Sequence, residues 1–155
     1  MTFENPKRVE KPWGHELWWA QTDRYVGKLL HVKAGAQLSL QYHVKKDETI
    51  HLWSGEMVLV LGEGDRLVEH PMRAGDSYHV RPGTVHRMRA VTDCDVLEVS
   101  TPEVEDVVRV ARHAERVELS AGALERIGTC RRMLERKIAK VGLINDGLVE
   151  NYHAH

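Results

Sequence analysis

The sequence predicts an all-β fold in which two antiparallel sheets pack against each other as a sandwich or barrel. About eight short segments rich in strand-forming residues follow one another, separated by glycine-containing turns. Before about residue 102, no segment repeats its apolar residues with the period of a helix. The nearly continuous apolar run EMVLVLG is typical of a strand that is covered by a second sheet. One domain with a hydrophobic core is therefore expected.

The predicted strands can be assigned in chain order. The first is HELWWA, after the Pro-Trp-Gly turn that ends at Gly14, and the second is YVGKLLHVK. Ala34 and Gly35 then turn the chain into further predicted strands, in a segment that carries several polar residues and continues to Gly55. The later predicted strands are EMVLVLG, RLVEH, SYHVR, VHRMRAV and DVLEVS. Glycine and aspartate pairs between them favour tight turns, so most connections are expected to be short.

The chain changes character at Thr101. The segment TPEVEDVVRVARHAERVELS is heavily charged and is expected to run over the outside of the barrel. Ser120 is a suitable N-cap for a helix that continues to about residue 141. Its apolar residues recur at spacings of three and four, which gives one apolar stripe: Leu124, Ile127, Cys130, Leu134, Ile138 and Val141. We therefore predict a β domain over residues 1–110 and an extension over 111–155, helical at about 120–141, packed on the barrel or a dimer seam.

Composition and charge exclude several classes of partner. The 155 residues carry a net charge of −1, so no broad basic field would attract nucleic acid or anionic lipid. No apolar run approaches the roughly 20 residues that cross a bilayer, and the first residues lack the apolar core of a signal peptide. The two cysteines suit a reducing compartment. A cytoplasmic protein with no nucleic-acid or membrane partner is expected.

Four polar residues have the chemistry and spacing of a metal site. Gln41 and His43 stand two apart, which on a strand directs both side chains to one face, and Glu48 follows after a short polar break. His86 comes from a distant strand after a Pro-Gly turn. Two imidazoles, a carboxylate and an amide oxygen suit a first-row divalent ion. Zinc is the expected ion, and iron, manganese, nickel and cobalt also fit these donors.

These residues resemble the two motifs of the cupin family. The first motif matches at Gly35, Gln41, His43, Glu48 and Gly55, and the second at Gly75, Gly83 and His86. Most cupins carry a His-x-His pair where this chain has Gln-x-His, which is similar to the phosphomannose isomerases. The segments KPWGHE, SLQYH and GTVHR are similar to the cupin domain of type II mannose-6-phosphate isomerases, and the resemblance covers roughly residues 9–110.

The resemblance implies a cupin jelly-roll barrel with a metal held by Gln41, His43, Glu48 and His86. It also implies a homodimer, because cupins usually pair, and the Trp18-Trp19 region is a candidate seam. The implied activity is isomerisation of a sugar or sugar phosphate. The chain departs from those enzymes after the metal histidine, where it reads VKKD, so mannose 6-phosphate is only one of several candidate substrates.

An aldose–ketose isomerase needs a base besides the metal. Glu98, His51 and His79 are the candidates, and the sequence does not distinguish among them. Lys46 lies beside the predicted ligands and is a candidate to hold a phosphate or a sugar oxygen. Two alternatives remain open. One is a non-catalytic cupin that binds a carbohydrate, and the other is an iron-dependent dioxygenase.

Overall fold

The computed structural model describes residues 5–111, which form two packed antiparallel sheets. The strands of this part of the chain are β1 (Lys7–Lys11), β2 (Gly14–Gln21), β3 (Val26–Val32), β4 (Leu40–Tyr42), β5 (Glu48–Ser54), β6 (Glu56–Glu63), β7 (Arg66–Arg73), β8 (Ser77–Val80), β9 (His86–Ala90), β10 (Cys94–Ser100) and β11 (Val108–Ala111). Within this range no helix is long and apolar enough to cross a membrane.

The two sheets exchange strands along the chain. One sheet has six strands in the order β1-β2-β3-β10-β5-β8, and the other has five in the order β11-β4-β9-β6-β7. Every strand pairing within the two sheets is antiparallel. The chain crosses from one sheet to the other several times, as in a jelly roll. This architecture confirms the predicted all-β fold of two antiparallel sheets.

The core lies between the facing sheets and is built by strand alternation. On β5, Ile50 and Leu52 are fully buried, and they belong to one core cluster with Leu30 of β3, Leu59 of β6 and Val96 of β10. The residues that alternate with them along β5 are more exposed, as expected when successive side chains of a strand point to opposite faces. The inner face of each strand can therefore be identified from its buried residues, and this identification decides which polar side chains enter the interior.

Two strands were not predicted, and both contain charged residues. β1, with the sequence KRVEK, is an edge strand that pairs with β2 and is largely exposed. β11 lies in the segment that we expected to run over the outside, and it pairs instead with β4, with Val108 opposite Tyr42. Charged side chains are tolerated on edge strands because one face and one side stay in contact with water. The predicted helix at about 120–141 lies outside the described residues, as does the extension from residue 112 onward.

Gly14 allows β2 to approach β3 very closely. Its φ is +148°, and a Cβ placed there would lie 1.9 Å from the carbonyl oxygen of His31. That oxygen belongs to the paired backbone of β3, so it cannot move without breaking the ladder. Gly64, in the turn between β6 and β7, also has positive φ, at +59°, but a Cβ there would meet nothing within 4 Å.

We expect Gly14→Ala to destabilise the protein by about 3 kcal/mol or more, because the new methyl group overlaps backbone atoms. Gly64→Ala should cost only about 1 kcal/mol, the usual penalty for a left-handed residue with a Cβ. Urea unfolding of the two variants measures the difference. Equal losses of stability would show that the close approach of β2 to β3 is not a constraint.

Candidate metal centre

Three of the four predicted ligands meet in the interior. His43 follows β4, Glu48 begins β5 and His86 begins β9, so the two sheets contribute jointly. One ligand atom from each lies within 4.8 Å of the others. His43 Nε2 is 3.4 Å and His86 Nε2 is 3.2 Å from the same carboxylate oxygen, Oε1 of Glu48. All three side chains are buried, so the donors are shielded from water.

The hydrogen bonds on the far side of each imidazole fix which nitrogen faces the centre. His43 Nδ1 donates to the backbone carbonyl of Asp106, and His86 Nδ1 donates to that of Thr84 at 2.9 Å. A carbonyl only accepts, so the Nδ1 atoms carry the protons of the neutral rings and each Nε2 presents a lone pair. Neither buried Nε2 atom has a hydrogen-bond partner. Two inward lone pairs beside a carboxylate oxygen are the donor set that a divalent cation requires.

The charge of Glu48 supports the same conclusion. Burial acts to raise the pKa of Glu48, but the facing imidazoles, when protonated, and the Lys46 ammonium lower it by more, leaving it well below its usual range. Glu48 is therefore a carboxylate in the folded protein. A cation between Glu48 and the two Nε2 atoms would occupy the place that protons take when no metal is bound.

Gln41, the fourth predicted ligand, lies next to these three. It is half-buried on β4, directly opposite His86 of β9 in the sheet register. Strand alternation places it on the same face as His43, while its neighbours Leu40 and Tyr42 join a separate apolar cluster. Its Oε1 accepts a hydrogen bond from the Ser39 hydroxyl at 2.7 Å. Coordination of a metal by Gln41 stays a prediction.

Of the residues predicted to act in catalysis, Lys46 and Glu98 lie beside the cluster. Lys46 Nζ donates to Glu48 Oε2 and, at 2.8 Å, to Glu98 Oε1. All three residues are buried. Burial lowers the pKa of Lys46, but the carboxylates of Glu98 and Glu48 raise it by more. Lys46 thus remains an ammonium ion, and it joins the two carboxylates into one unit.

The structure does not bring His51 and His79 to the cluster. His51 alternates with the buried Ile50 and Leu52, so it lies on the outer face of β5, where its Nδ1 is 2.8 Å from Ser77 Oγ. His79 lies on the outer face of β8 and pairs with Asp47 at 2.6 Å. The sequence placed both histidines near ligand segments, but the parity of their strands turns them away from the interior.

Asp106 is a residue beside the cluster that the sequence did not indicate. Its carboxylate accepts hydrogen bonds from the backbone N–H groups of Val44, Lys45 and Lys46, at 3.1, 2.5 and 2.9 Å. Its carbonyl oxygen also orients the His43 ring. Burial raises the pKa of Asp106, but the three backbone donors lower it by more. Asp106 therefore connects the segment before β11 to the loop that carries the metal ligands.

The interior also holds two buried charged residues that the sequence analysis did not single out. Lys28 on β3 lies opposite Glu98 of β10 in the register, and Glu16 lies on the neighbouring β2. Both belong to strand segments rich in apolar residues. The alternation of inward and outward residues along β2 and β3 could have identified them, because Glu16 and Lys28 each occupy an inward position.

Comparisons with known proteins agree with this fold. The family model described as "Cupin domain" matches residues 28–100. The structure of KdgF from Halomonas sp. is similar with a TM-score of 0.56 at 18% identity, covering 66% of this chain and 92% of that one. Oxalate decarboxylase from Bacillus subtilis has a TM-score of 0.59 at 17% identity, covering 70% of this chain and 31% of that one. The capsular polysaccharide assembling protein CapF from Staphylococcus aureus has a TM-score of 0.58 at 16% identity, covering 69% of this chain and 33% of that one.

These likenesses show the fold of the protein. Residues 28–100 match the cupin-domain model, and the described chain has the cupin jelly-roll fold with a His–Glu–His cluster inside it. The chain spans about a third of the oxalate decarboxylase and CapF chains that it resembles. Comparison with curated proteins finds no match.

We predict that His86→Ala lowers the affinity for a divalent ion by about a hundredfold or more, since it removes one of two imidazole donors. His51→Ala is the matched control, because this histidine lies on the outer face of the same domain. Titration calorimetry with Zn²⁺ measures both affinities. If the two variants bind Zn²⁺ equally well, the ion does not bind at this cluster.

Asp106→Asn should destabilise the protein by about 1–2 kcal/mol at pH 7, because charge-assisted bonds to three backbone N–H groups are weakened. The pKa of Asp106 is lower in the folded than in the unfolded chain, whose reference value is 3.8. Its stabilising contribution is therefore present above pH 3.8 and is lost as the pH falls through the folded-state pKa. Urea unfolding should show the difference in stability between wild type and variant shrinking as the pH falls below 3.8, and a constant difference would contradict this role.

Proposed function

We propose that this protein is a metal-dependent enzyme that moves a proton between adjacent carbons of a sugar or sugar phosphate, as an aldose–ketose isomerase does. The observation that carries the proposal is the contact between a metal-ligand cluster and the buried ion pair of Lys46 and Glu98. Glu48 faces the two imidazoles through one oxygen and Lys46 through the other, and Lys46 holds Glu98 at 2.8 Å. The resemblance of KPWGHE and GTVHR to type II mannose-6-phosphate isomerases supports the same chemistry.

The residues present fit a divalent ion. His43, Glu48 and His86 would hold it, with Gln41 as the predicted fourth ligand. Bound there, the ion would supply a Lewis acid that polarises a carbonyl oxygen of the substrate. Three protein donors, or four with Gln41, leave room in the coordination shell of a first-row ion for a substrate oxygen.

Glu98 is the residue that we assign as the base. Glu48 faces the two imidazoles and would bind the metal, whereas Glu98 is a buried carboxylate that contacts the cluster only through Lys46. His51 and His79, the other predicted bases, are directed to the outer face. Glu98 would remove the proton from C2 of an aldose, which gives an enediolate, and would later return it to C1.

Lys46 is assigned to stabilise charge rather than to transfer a proton. Its raised pKa keeps it an ammonium ion, and two of its three N–H donors are used by Glu48 and Glu98. The third can hold the oxygen on which negative charge develops. The hydroxyl proton of the enediolate then passes from O2 to O1, and the return of the carbon-bound proton from Glu98 to C1 completes the ketose.

We also propose that the protein acts as a cytoplasmic homodimer. The outer face of the six-stranded sheet, with the turn before β3, carries four large apolar side chains that are about half exposed or more: Trp19 at 51%, Tyr25 at 55%, Trp53 at 64% and Val99 at 49%. Trp18, the other residue of the predicted seam, is half-buried on β2, where its indole N–H donates to Glu16. Light scattering should give the dimer mass for the wild type and a monomer mass for Trp19→Ser.

Metal-loaded protein should interconvert at least one aldose–ketose pair and, in D₂O, exchange the carbon-bound proton for deuterium, which ¹H NMR detects. Glu98→Gln should slow this by about 10²–10⁴-fold while the bound metal is retained. Glu69→Gln is the matched control, because Glu69 forms an exposed ion pair with Arg89 on the other sheet.

The test includes aldoses, ketoses and their 6-phosphates. If the metal-loaded wild type neither converts nor exchanges any of them, the enzymatic proposal is wrong. Ligand-induced melting shifts without turnover would instead identify a carbohydrate-binding cupin.

A further inference from the structure

We infer that the buried charged residues beyond Glu98 form a subsite for the uncharged hydroxyl groups of the substrate, so that the substrate is an unphosphorylated polyhydroxy carbonyl compound. The inference rests on the proposed function and narrows its substrate class. It depends on Lys28 and Glu16, which the acid–base chemistry does not use.

The subsite is a row of alternating charges along the inner face of the six-stranded sheet. The row runs from Glu48 through Lys46, Glu98 and Lys28 to Glu16. Glu98 Oε1 is 2.8 Å from Lys46 Nζ and 3.8 Å from Lys28 Nζ. Lys28 Nζ is in turn 3.9 Å from Glu16 Oε2. Each carboxylate thus has an ammonium group beside it.

The row connects the cluster to the surface. Side-chain exposure rises along it, from 2% at Glu48 to 5% at Lys46, 7% at Glu98, 9% at Lys28 and 10% at Glu16. Lys11, which lies 3.6 Å from Glu16, is 34% exposed. A molecule bound at the cluster with its chain along this row would extend towards solvent.

The Lys28 ammonium is placed to bind a ligand oxygen. Its nearest carboxylate oxygens stand at 3.8 and 3.9 Å, which is beyond hydrogen-bond length. The ammonium lies 4.1 Å from the ring centre of Trp18, whose indole N–H donates to Glu16 Oε2 at 2.7 Å. A buried ammonium with three N–H donors is stabilised by direct hydrogen bonds, and an oxygen between Lys28 and its two carboxylates would receive one.

The charge balance of the row determines whether a phosphate oxygen or a hydroxyl group can bind beside Lys28. Its five residues comprise three carboxylates and two ammonium groups, and Lys11 adds a third ammonium group beside Glu16 at the exposed end. The row therefore has no surplus positive charge, and the charge of a bound divalent ion acts at the Glu48 end. A phosphate dianion beside Lys28 would also stand close to Glu16 and Glu98 and would be repelled by both. A hydroxyl group can accept from the ammonium and donate to a carboxylate, and successive hydroxyls can repeat this along the row.

The experiment compares ligands on metal-loaded protein by titration calorimetry. We expect an aldohexose to bind about tenfold or more tightly than its 6-phosphate, and its 3-deoxy or 4-deoxy analogue to bind about tenfold more weakly than the parent sugar. Lys28→Met should weaken hexose binding by a similar factor with Zn²⁺ affinity unchanged. Lys33→Met, at an exposed lysine after β3, is the matched control and should change neither.

Removing Lys28 alone leaves two buried carboxylates less well compensated and can impair folding. The double variant Lys28→Met/Glu16→Gln removes one charge of each sign, and the deoxy sugars test the row in the wild type without any substitution. Tighter binding of the 6-phosphate, or full hexose affinity in both variants, would overturn the inference. Turnover of the phosphate ester alone would leave the proposed function standing, whereas binding of neither ligand would end both.

Discussion

The interior of this protein contains a carboxylate that faces two imidazole lone pairs, and such an arrangement requires a cation. Glu48 is fixed between His43 and His86 because β4, β5 and β9 place these residues at facing positions of two different sheets. In a site shielded from water, electron-rich atoms 3.2 and 3.4 Å apart are not stable without a proton or a metal between them. The packing of the two sheets therefore determines the chemistry of the centre.

The same requirement explains the charged residues around the cluster. Lys46 compensates the second oxygen of Glu48, Glu98 compensates Lys46, and Lys28 continues the alternation. Buried ionised groups are tolerated when each has an opposite charge close by, because the attraction offsets much of the cost of desolvation.

Asp106 holds the ligand loop and one of the imidazole rings in place. Its carboxylate accepts hydrogen bonds from three backbone N–H groups and so fixes the loop between β4 and β5, while its backbone carbonyl orients the His43 ring.

The sequence predicted those parts of the molecule that depend on local pattern. Glycine turns and apolar runs predicted most strands, and the spacing of His43, Glu48 and His86 predicted the cluster. The sequence could not predict that Glu98 lies beside the cluster whereas His51 and His79 do not, because that difference depends on which face of each strand turns inward. Asp106 was missed because its partners lie about 60 residues away, and the charged segment around it suggested an exterior loop. Lys28 and Glu16 were overlooked because each is a single charge in an apolar strand, although each occupies the inward position of the strand alternation.

The central claim is that two imidazoles and one carboxylate bind a single divalent ion. X-ray absorption at the zinc edge of zinc-loaded protein measures the coordination shell directly. The structure predicts two nitrogen scatterers at about 2.0–2.1 Å together with oxygen at about 2.0–2.2 Å, and no sulfur. A shell made only of oxygen, or one that contains sulfur at about 2.3 Å, would contradict the claim.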